Sequence, residues 1–239
     1  MTRWQRETAR GSAFPVICII AGLWIGPAAA QQPATVDQGV NERFLSRDLD
    51  TAAMAARFES EGREAFDRRH SVIAALRLRP GMAVADIGAG SGFYAALMAA
   101  SVGPAGTVYA VEIAPNWIEH LTERFAAEGI DNAHVAQSTA DSVELPEGSL
   151  DLIFSSDTYH HFENPPLILG SIHRALKPGG RWVVLDFDRV PGVTAPGRMA
   201  HLRLGKEEAV EENLAAGFRL EREADIGLEQ SYLAIFQKP

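Results

Sequence analysis

Three features are scarce in this sequence, and each scarcity excludes a class of site or partner. Its one cysteine is Cys18, so residues 31–239 contain no thiol for a disulfide, a thiolate metal site or a cysteine nucleophile. There is no excess of positive charge, because 22 Lys and Arg stand against 31 Asp and Glu. No apolar run reaches the roughly 20 residues that a membrane-spanning helix needs. We therefore expect no nucleic-acid partner and no stable membrane insertion of the mature chain.

The longest apolar run lies near the N-terminus. Arg3, Arg6 and Arg10 precede the segment FPVICIIAGLWIG, which is followed by AAA at 28–30. A positive region, a short apolar core and an A-x-A site are typical of a secretory signal peptide. We predict that residues 1–30 are a cleaved signal peptide and that the mature protein is periplasmic or secreted. The alternatives are an inner-membrane anchor and a cytoplasmic protein.

Residues 31–69 are predicted to be a linker followed by an N-terminal helical cap. A polar stretch comes first, and Met54, Phe58 and Phe66 then recur at helical spacing among many charged residues. This pattern predicts one or two amphipathic helices whose charged face is solvated.

From residue 70 to residue 239 the pattern predicts one α/β domain. Strand-like apolar runs alternate with helical segments, which is typical of βαβ units and a parallel sheet with helices on both faces. The last two strands are separated by a short turn and are expected to pair antiparallel at the edge. The predicted strands are 82–87, 107–112, 133–136, 150–155, 181–187, 218–225 and 231–237, and the helices between them include 93–101, 115–128 and 165–176.

Three glycines follow the first predicted strand in VADIGAGSG, residues 84–92. The spacing is G-x-G-x-G, whereas a dinucleotide-binding loop has G-x-G-x-x-G. Asp86 precedes the loop and would repel a pyrophosphate, but it can bind an ammonium group. Glu112 ends the next strand, where its two oxygens can accept hydrogen bonds from ribose hydroxyls. The two acids fit a ligand with a ribose and an ammonium group, and they disfavour a dehydrogenase.

Four segments stand in the order and spacing found in one known family: VADIGAGSG, VYAVEI, LPEGSLDLIF and LKPGGRWVVLDF. Through them the chain resembles the class I S-adenosylmethionine-dependent methyltransferases from about residue 70 to its C-terminus. The resemblance implies a doubly wound, mostly parallel seven-stranded sheet of order 3-2-1-4-5-7-6 and S-adenosylmethionine as the cofactor. It also implies that N-terminal helices cover the substrate pocket, with Phe58, Phe66 and an arginine as a lid. The residues expected to bind the cofactor are Asp86, Gly88, Ala89, Gly90, Gly92, Glu112, Ile113, Ala140 and Asp141.

The segment SSDTYHHF, residues 155–162, follows the fourth predicted strand and should lie at the carboxyl edge of the sheet. We predict that Asp157, Tyr159 and His160 contact the substrate, with His160 or Tyr159 as a candidate proton acceptor. Alternatively, one of the adjacent histidines points into the core, and methyl transfer proceeds by proximity without a base.

No H-x-x-x-H spacing is present, so the sequence predicts no metal site. The alternative is a Zn or Fe site at the strand ends, with ligands from the set His160, His161, Asp157, Asp186 and Asp188.

The sequence thus predicts a methyltransferase acting on a small-molecule acceptor. The alternative is an exported, non-catalytic binding protein on the same scaffold, because S-adenosylmethionine is made in the cytoplasm and the predicted signal peptide directs the chain out of it.

Overall fold

A computed structural model describes residues 41–239. The predicted signal peptide, Cys18 and most of the predicted linker lie outside these residues. Within residues 41–239, no helix is both long enough and apolar enough to cross a membrane.

The domain is built around one seven-stranded sheet in the order β3-β2-β1-β4-β5-β7-β6. The first five strands pair in parallel, and β7 pairs antiparallel with both β5 and β6. The predicted fold class and strand order are therefore confirmed. The strands are β1 (Ala83–Ile87), β2 (Thr107–Glu112), β3 (Ala133–Gln137), β4 (Leu150–Ser156), β5 (Leu176–Phe187), β6 (Arg219–Glu223) and β7 (Ser231–Gln237).

Helices cover both faces of the sheet, and a short 3₁₀ turn, Tyr159–His161, follows β4. The helices in the described part of the chain are α1 (Glu42–Leu45), α2 (Thr51–Phe58), α3 (Glu64–Asp67), α4 (Arg69–Leu76), α5 (Phe93–Val102), α6 (Pro115–Glu128), α7 (Pro165–Ala175), α8 (Pro196–His201) and α9 (Lys206–Ala215).

Two apolar cores lie on opposite faces of the sheet because side chains alternate along each strand. In β5, Val183 faces the core that includes residues of α4, α5 and α6, whereas Trp182 and Val184 face the core under α7 and α9. Burial on both faces explains why the strands read as nearly continuous apolar runs. It also leaves the carboxyl edge of the parallel strands as the place where polar side chains can gather.

Several boundaries differ from the sequence prediction. The helix predicted over 165–176 ends at Ala175, β5 begins at Leu176, earlier than predicted, and β6 ends at Glu223 instead of residue 225. The KPGG segment joins β5 because Gly179 N–H donates to the Lys238 carbonyl and Lys238 N–H donates to the Gly180 carbonyl, both at 2.9 Å.

The described part of the N-terminal cap contains three short helices before α4 instead of one or two, with Gly62 at φ +88° in the turn between α2 and α3.

Candidate functional site

The glycine loop between β1 and α5 requires backbone that carries no Cβ. Gly88, Gly90 and Gly92 have φ values of +68°, +50° and +81°, in the left-handed region that favours glycine. A Cβ on Gly88 would lie 2.5 Å from Thr158 Oγ1, and one on Gly92 would lie 2.7 Å from Leu121 Cδ2. A Cβ on Gly90 would meet no protein atom closer than 3.5 Å. Gly88 and Gly92 therefore satisfy packing, whereas a Cβ on Gly90 would be in ordinary van der Waals contact with the Phe58 ring, so the left-handed backbone is what favours glycine there.

Glu112, at the end of β2, faces this loop and is buried. Its carboxylate accepts hydrogen bonds from the N–H groups of Gly90 at 3.0 Å, Ile113 at 2.9 Å and Ala114 at 3.4 Å. Burial raises the pKa of Glu112, and these three N–H groups oppose that rise. The backbone thus fixes the carboxylate in one orientation. Oε1 accepts from both Ile113 and Ala114, whereas Oε2 accepts from Gly90 alone and keeps a lone pair for a ligand's hydroxyl group.

Asp86 is the second buried acid of the site, with 2% of its surface exposed. Burial, and then the charge of Glu112, raises the pKa of Asp86 from its usual 3.8 to about 8. Without a ligand, this carboxyl group therefore holds its proton at neutral pH. A ligand that brings a positive charge would favour the ionised form.

These groups line one cavity of about 1030 Å³ at the carboxyl edge of the sheet. Its volume is at the upper end of the range of about 300–1,000 Å³ for small-molecule sites, so it has room for two ligands side by side. Of the residues predicted to bind the cofactor, those on its wall are Asp86, Gly88, Ala89, Gly90, Glu112, Ile113 and Ala140.

Two residues predicted to bind the cofactor are not on the cavity wall. Gly92 is buried behind the loop against Leu121 and Phe125, so its place is explained by packing. Asp141 is exposed and its N–H lies 3.3 Å from Thr139 Oγ1, in a turn that directs the chain away from the cavity.

Asp157 terminates β4 and projects into the cavity. Its φ of +51° is unusual for a residue other than glycine and turns the chain sharply away from the strand. One carboxylate oxygen pairs with Arg63, whereas Oδ1 is buried without a hydrogen-bond partner. Burial raises the pKa of Asp157, although the charge of Arg63 opposes this effect. The structure thus places an unsatisfied acceptor beside the cavity, as expected for a group that contacts substrate.

Tyr159 does not fit its predicted role, because it lies outside the cavity. The 3₁₀ turn directs this side chain into the core under α7 and α9, where it is fully buried. Its hydroxyl donates to Glu212 at 2.8 Å and accepts from Asn213 at 3.1 Å. Both hydrogen-bonding capacities are used within the protein, so Tyr159 is a structural residue rather than a substrate contact.

His160, the next residue in the same turn, lines the cavity. Its backbone N–H and its Nδ1 contact the two oxygens of Asp186 at 3.0 Å and 2.7 Å. Burial opposes protonation of His160, but the charge and hydrogen bond of Asp186 outweigh it and raise the pKa of the imidazole. His161 and His201 line the cavity next to it.

The N-terminal cap contributes one wall of the cavity, as the lid prediction requires. The Phe58 ring lies 3.5 Å from the Cβ position of Gly90 and stacks on Trp117 at 5.8 Å between centroids. Phe66 also lines the cavity, and Arg63 lies over the Phe58 ring at 4.9 Å. Sequence analysis did not single out Arg63 among the arginines, because its partner Asp157 is 94 residues away.

Comparisons with known proteins agree with this architecture. A family model described as "Methyltransferase domain" matches residues 78–231. The ubiquinone/menaquinone biosynthesis C-methyltransferase UbiE of Hydrogenovibrio crunogenus is 32% identical over 124 residues, which are 52% of this chain and 48% of that protein. The corresponding protein of Vibrio vulnificus is 32% identical over 112 residues, 46% of this chain and 43% of that protein. This chain thus spans about half the length of the curated relatives it matches.

Solved structures share the fold. A SAM-dependent methyltransferase from Aquifex aeolicus superposes with a TM-score of 0.71 at 24% identity, covering 80% of this chain and 100% of that chain. Phosphoethanolamine N-methyltransferase 2 of Haemonchus contortus, in complex with S-adenosyl-L-methionine, has a TM-score of 0.62 at 23% identity, covering 73% of this chain and 43% of that chain.

Proposed function

The chain belongs to the methyltransferase-domain family, and from this premise we propose that it transfers a methyl group from S-adenosylmethionine to a small-molecule acceptor. The observation that carries this proposal is the arrangement of Asp86, Gly90 and Glu112 on one end of a cavity large enough for two ligands.

The residues at that end fit the proposed cofactor. Glu112 is oriented by three backbone N–H groups and retains a lone pair on Oε2 for a ribose hydroxyl. Asp86 offers a buried carboxyl group to an ammonium ion, and Gly90 lies on the cavity wall without a side chain of its own. When bound, S-adenosylmethionine supplies an electrophilic methyl group.

The part of the cavity wall formed by Arg63, Asp157 and His160 is proposed to hold the acceptor, and we call it the acceptor end. The free Oδ1 of Asp157 can accept a hydrogen bond or a proton from an attacking hydroxyl or amine, and burial, which raises the pKa of Asp157, makes it a stronger base than an exposed aspartate. Arg63 holds the other oxygen and so keeps Asp157 in place. The aromatic side chains of the cap exclude water from the cavity, which favours alignment of the two ligands.

Titration calorimetry of the full chain tests the proposal, with S-adenosylmethionine, S-adenosylhomocysteine and NAD as ligands. We expect binding of the first two and none of NAD. Glu112→Ala should weaken binding by about 1.5–3 kcal/mol, the scale of a hydrogen bond to a charged group. Glu119→Ala, which removes an exposed carboxylate from α6, is the matched control and should bind as the wild type does. Equal affinity in all three proteins would contradict the site assignment.

A further inference from the structure

Three histidines meet at the acceptor end of the cavity. His160 and His161 lie in the 3₁₀ turn after β4, and His201 ends α8. Their ring centroids are 4.2 Å apart for His160 and His161, 5.2 Å for His160 and His201, and 5.1 Å for His161 and His201. We propose that these three side chains bind a divalent transition-metal ion, with zinc as the first candidate.

The distances between the nitrogens are compatible with one shared ion. One ring nitrogen from each histidine lies within 4.8 Å of the corresponding nitrogens of the other two. A single ion could therefore sit within about 2.8 Å of all three nitrogens, whereas zinc–nitrogen bonds are about 2.0–2.1 Å long. Each ring therefore needs to move by less than about 1 Å to reach bonding distance. His161 and His201 are only partly buried or exposed, so such a movement does not require the core to rearrange.

Asp186 orients one of the three ligands. A carboxylate only accepts hydrogen bonds, so the 2.7 Å contact places the proton of a neutral His160 on Nδ1 and leaves Nε2 as the nitrogen that can bind a metal. Metal-binding histidines are commonly held in this way by a carboxylate on the ring nitrogen that does not bind the metal.

The second histidine has an unsatisfied polar atom. Nδ1 of His161 is buried and has no hydrogen-bond partner among residues 41–239, and a metal ion would supply one.

Three nitrogen ligands leave at least one coordination position open, which is typical of catalytic rather than structural zinc sites. All three histidines line the cavity, so the open position would face the acceptor. The acceptor class that fits is one with an ionisable oxygen or sulfur, because zinc lowers the pKa of a bound hydroxyl or thiol. This step rests on the proposed methyl transfer, whereas the metal site itself does not.

Metal binding can be measured directly on the full chain, prepared without a histidine tag and stripped with a chelator. Equilibrium dialysis against Zn²⁺, followed by metal analysis, should give one ion per chain. Co²⁺ in place of Zn²⁺ should give a visible spectrum of nitrogen and oxygen ligation without thiolate charge transfer, which excludes Cys18 as a ligand.

Variants locate the ion. His161→Ala and His201→Ala should each weaken Zn²⁺ binding at least tenfold, and Asp186→Asn should weaken it about 10- to 100-fold through the orientation of His160. His134→Ala, an exposed histidine on β3, is the control and should bind Zn²⁺ as the wild type does. If His161→Ala shows no cooperative unfolding transition, and so is not properly folded, the wild type is compared with His201→Ala instead, because His201 is exposed.

Any one of three results would overturn the proposal. The wild type could bind less than one Zn²⁺ per chain, His201→Ala could bind Zn²⁺ with unchanged affinity, or His134→Ala could lose as much Zn²⁺ affinity as His201→Ala does. Calorimetry with S-adenosylmethionine on the same samples separates the two hypotheses. Cofactor binding without zinc binding overturns the metal site alone, whereas zinc binding without cofactor binding supports the metal site and overturns the proposed methyl transfer.

Discussion

Replacing Asp86 by asparagine should make the ligand-free protein more stable at alkaline pH. Burial and the charge of Glu112 raise the pKa of Asp86 to about 8, against 3.8 for an ordinary aspartate. Between these two pH values the unfolded chain has lost the carboxyl proton while the folded protein keeps it. The free energy of unfolding therefore falls as pH rises through this window, by up to about 1.4 kcal/mol for each pH unit.

The structure limits the size of the effect. Asp86 is 2% exposed, so solvent screening does little to reduce it. The full difference in pKa corresponds to a cost on the order of 5 kcal/mol once pH exceeds 8, and relaxation of the site should reduce this to a few kcal/mol. Asparagine has nearly the same volume and does not titrate, so Asp86→Asn removes the cost and creates no cavity.

Urea unfolding of the wild type and Asp86→Asn at several pH values from 5 to 8.5 measures the effect. The stability advantage of the variant should grow steadily with pH and level off above about pH 8. Asp141→Asn, which replaces an exposed carboxylate outside the cavity, should stay within about 0.5 kcal/mol of the wild type throughout. An advantage of Asp86→Asn that does not change with pH would refute the assignment of a buried, protonated Asp86.

Three further predictions concern neighbouring residues. In thermal unfolding, Gly88→Ala should destabilise the protein by more than the ~1–2 kcal/mol cost of a left-handed residue, because the new Cβ also meets Thr158. Gly129→Ala is the control: Gly129 has φ +66° and no atom within 4 Å of its Cβ position, so this variant should show the backbone cost alone. Tyr159→Phe should lower the free energy of unfolding by ~1–3 kcal/mol in urea and leave cofactor affinity in calorimetry unchanged, since its hydroxyl lies outside the cavity. Asp157→Asn should lower the methyl-transfer rate about 10²–10⁴-fold and abolish its rise with pH through the raised pKa, in assays on a panel of acceptors; a retained rise would exclude Asp157 as the base.

The meeting of the glycine loop and Glu112 on one cavity wall was predictable because its signals are local. The glycine loop follows directly after β1 and Glu112 ends β2, and adjacent parallel strands bring their carboxyl ends together. The family match confirms the recognised class, an S-adenosylmethionine-dependent methyltransferase with that cofactor. The signal peptide, by contrast, lies outside the described residues and stays a prediction.

The acceptor end could not be predicted in the same way. Adjacent residues in a 3₁₀ turn project in different directions, so the sequence could not decide that Tyr159 enters the core while His160 faces the cavity. His201 lies beside His160 because α8 packs near the end of β5, where Arg198 lies 4.2 Å over the Phe187 ring. The two histidines are far apart in the sequence, so no local spacing pattern predicts that they meet. Each carboxylate weighed as a metal ligand has another partner: Asp186 holds His160, one oxygen of Asp157 pairs with Arg63, and Oδ1 of Asp188 accepts from the N–H groups of Arg189 and Lys206.

The energetic cost at Asp86 itself supports a binding function for this cavity. A buried carboxyl group lowers the stability of the ligand-free protein at pH 7 and above, and asparagine would avoid that cost. A second costly feature, the left-handed backbone of Asp157, lies on the same cavity wall. Both features favour a bound state, because a ligand that carries positive charge stabilises the ionised Asp86. At a concentration 100 times its Kd, such a ligand adds about 2.7 kcal/mol to folding stability, which is comparable with the cost of the buried acid.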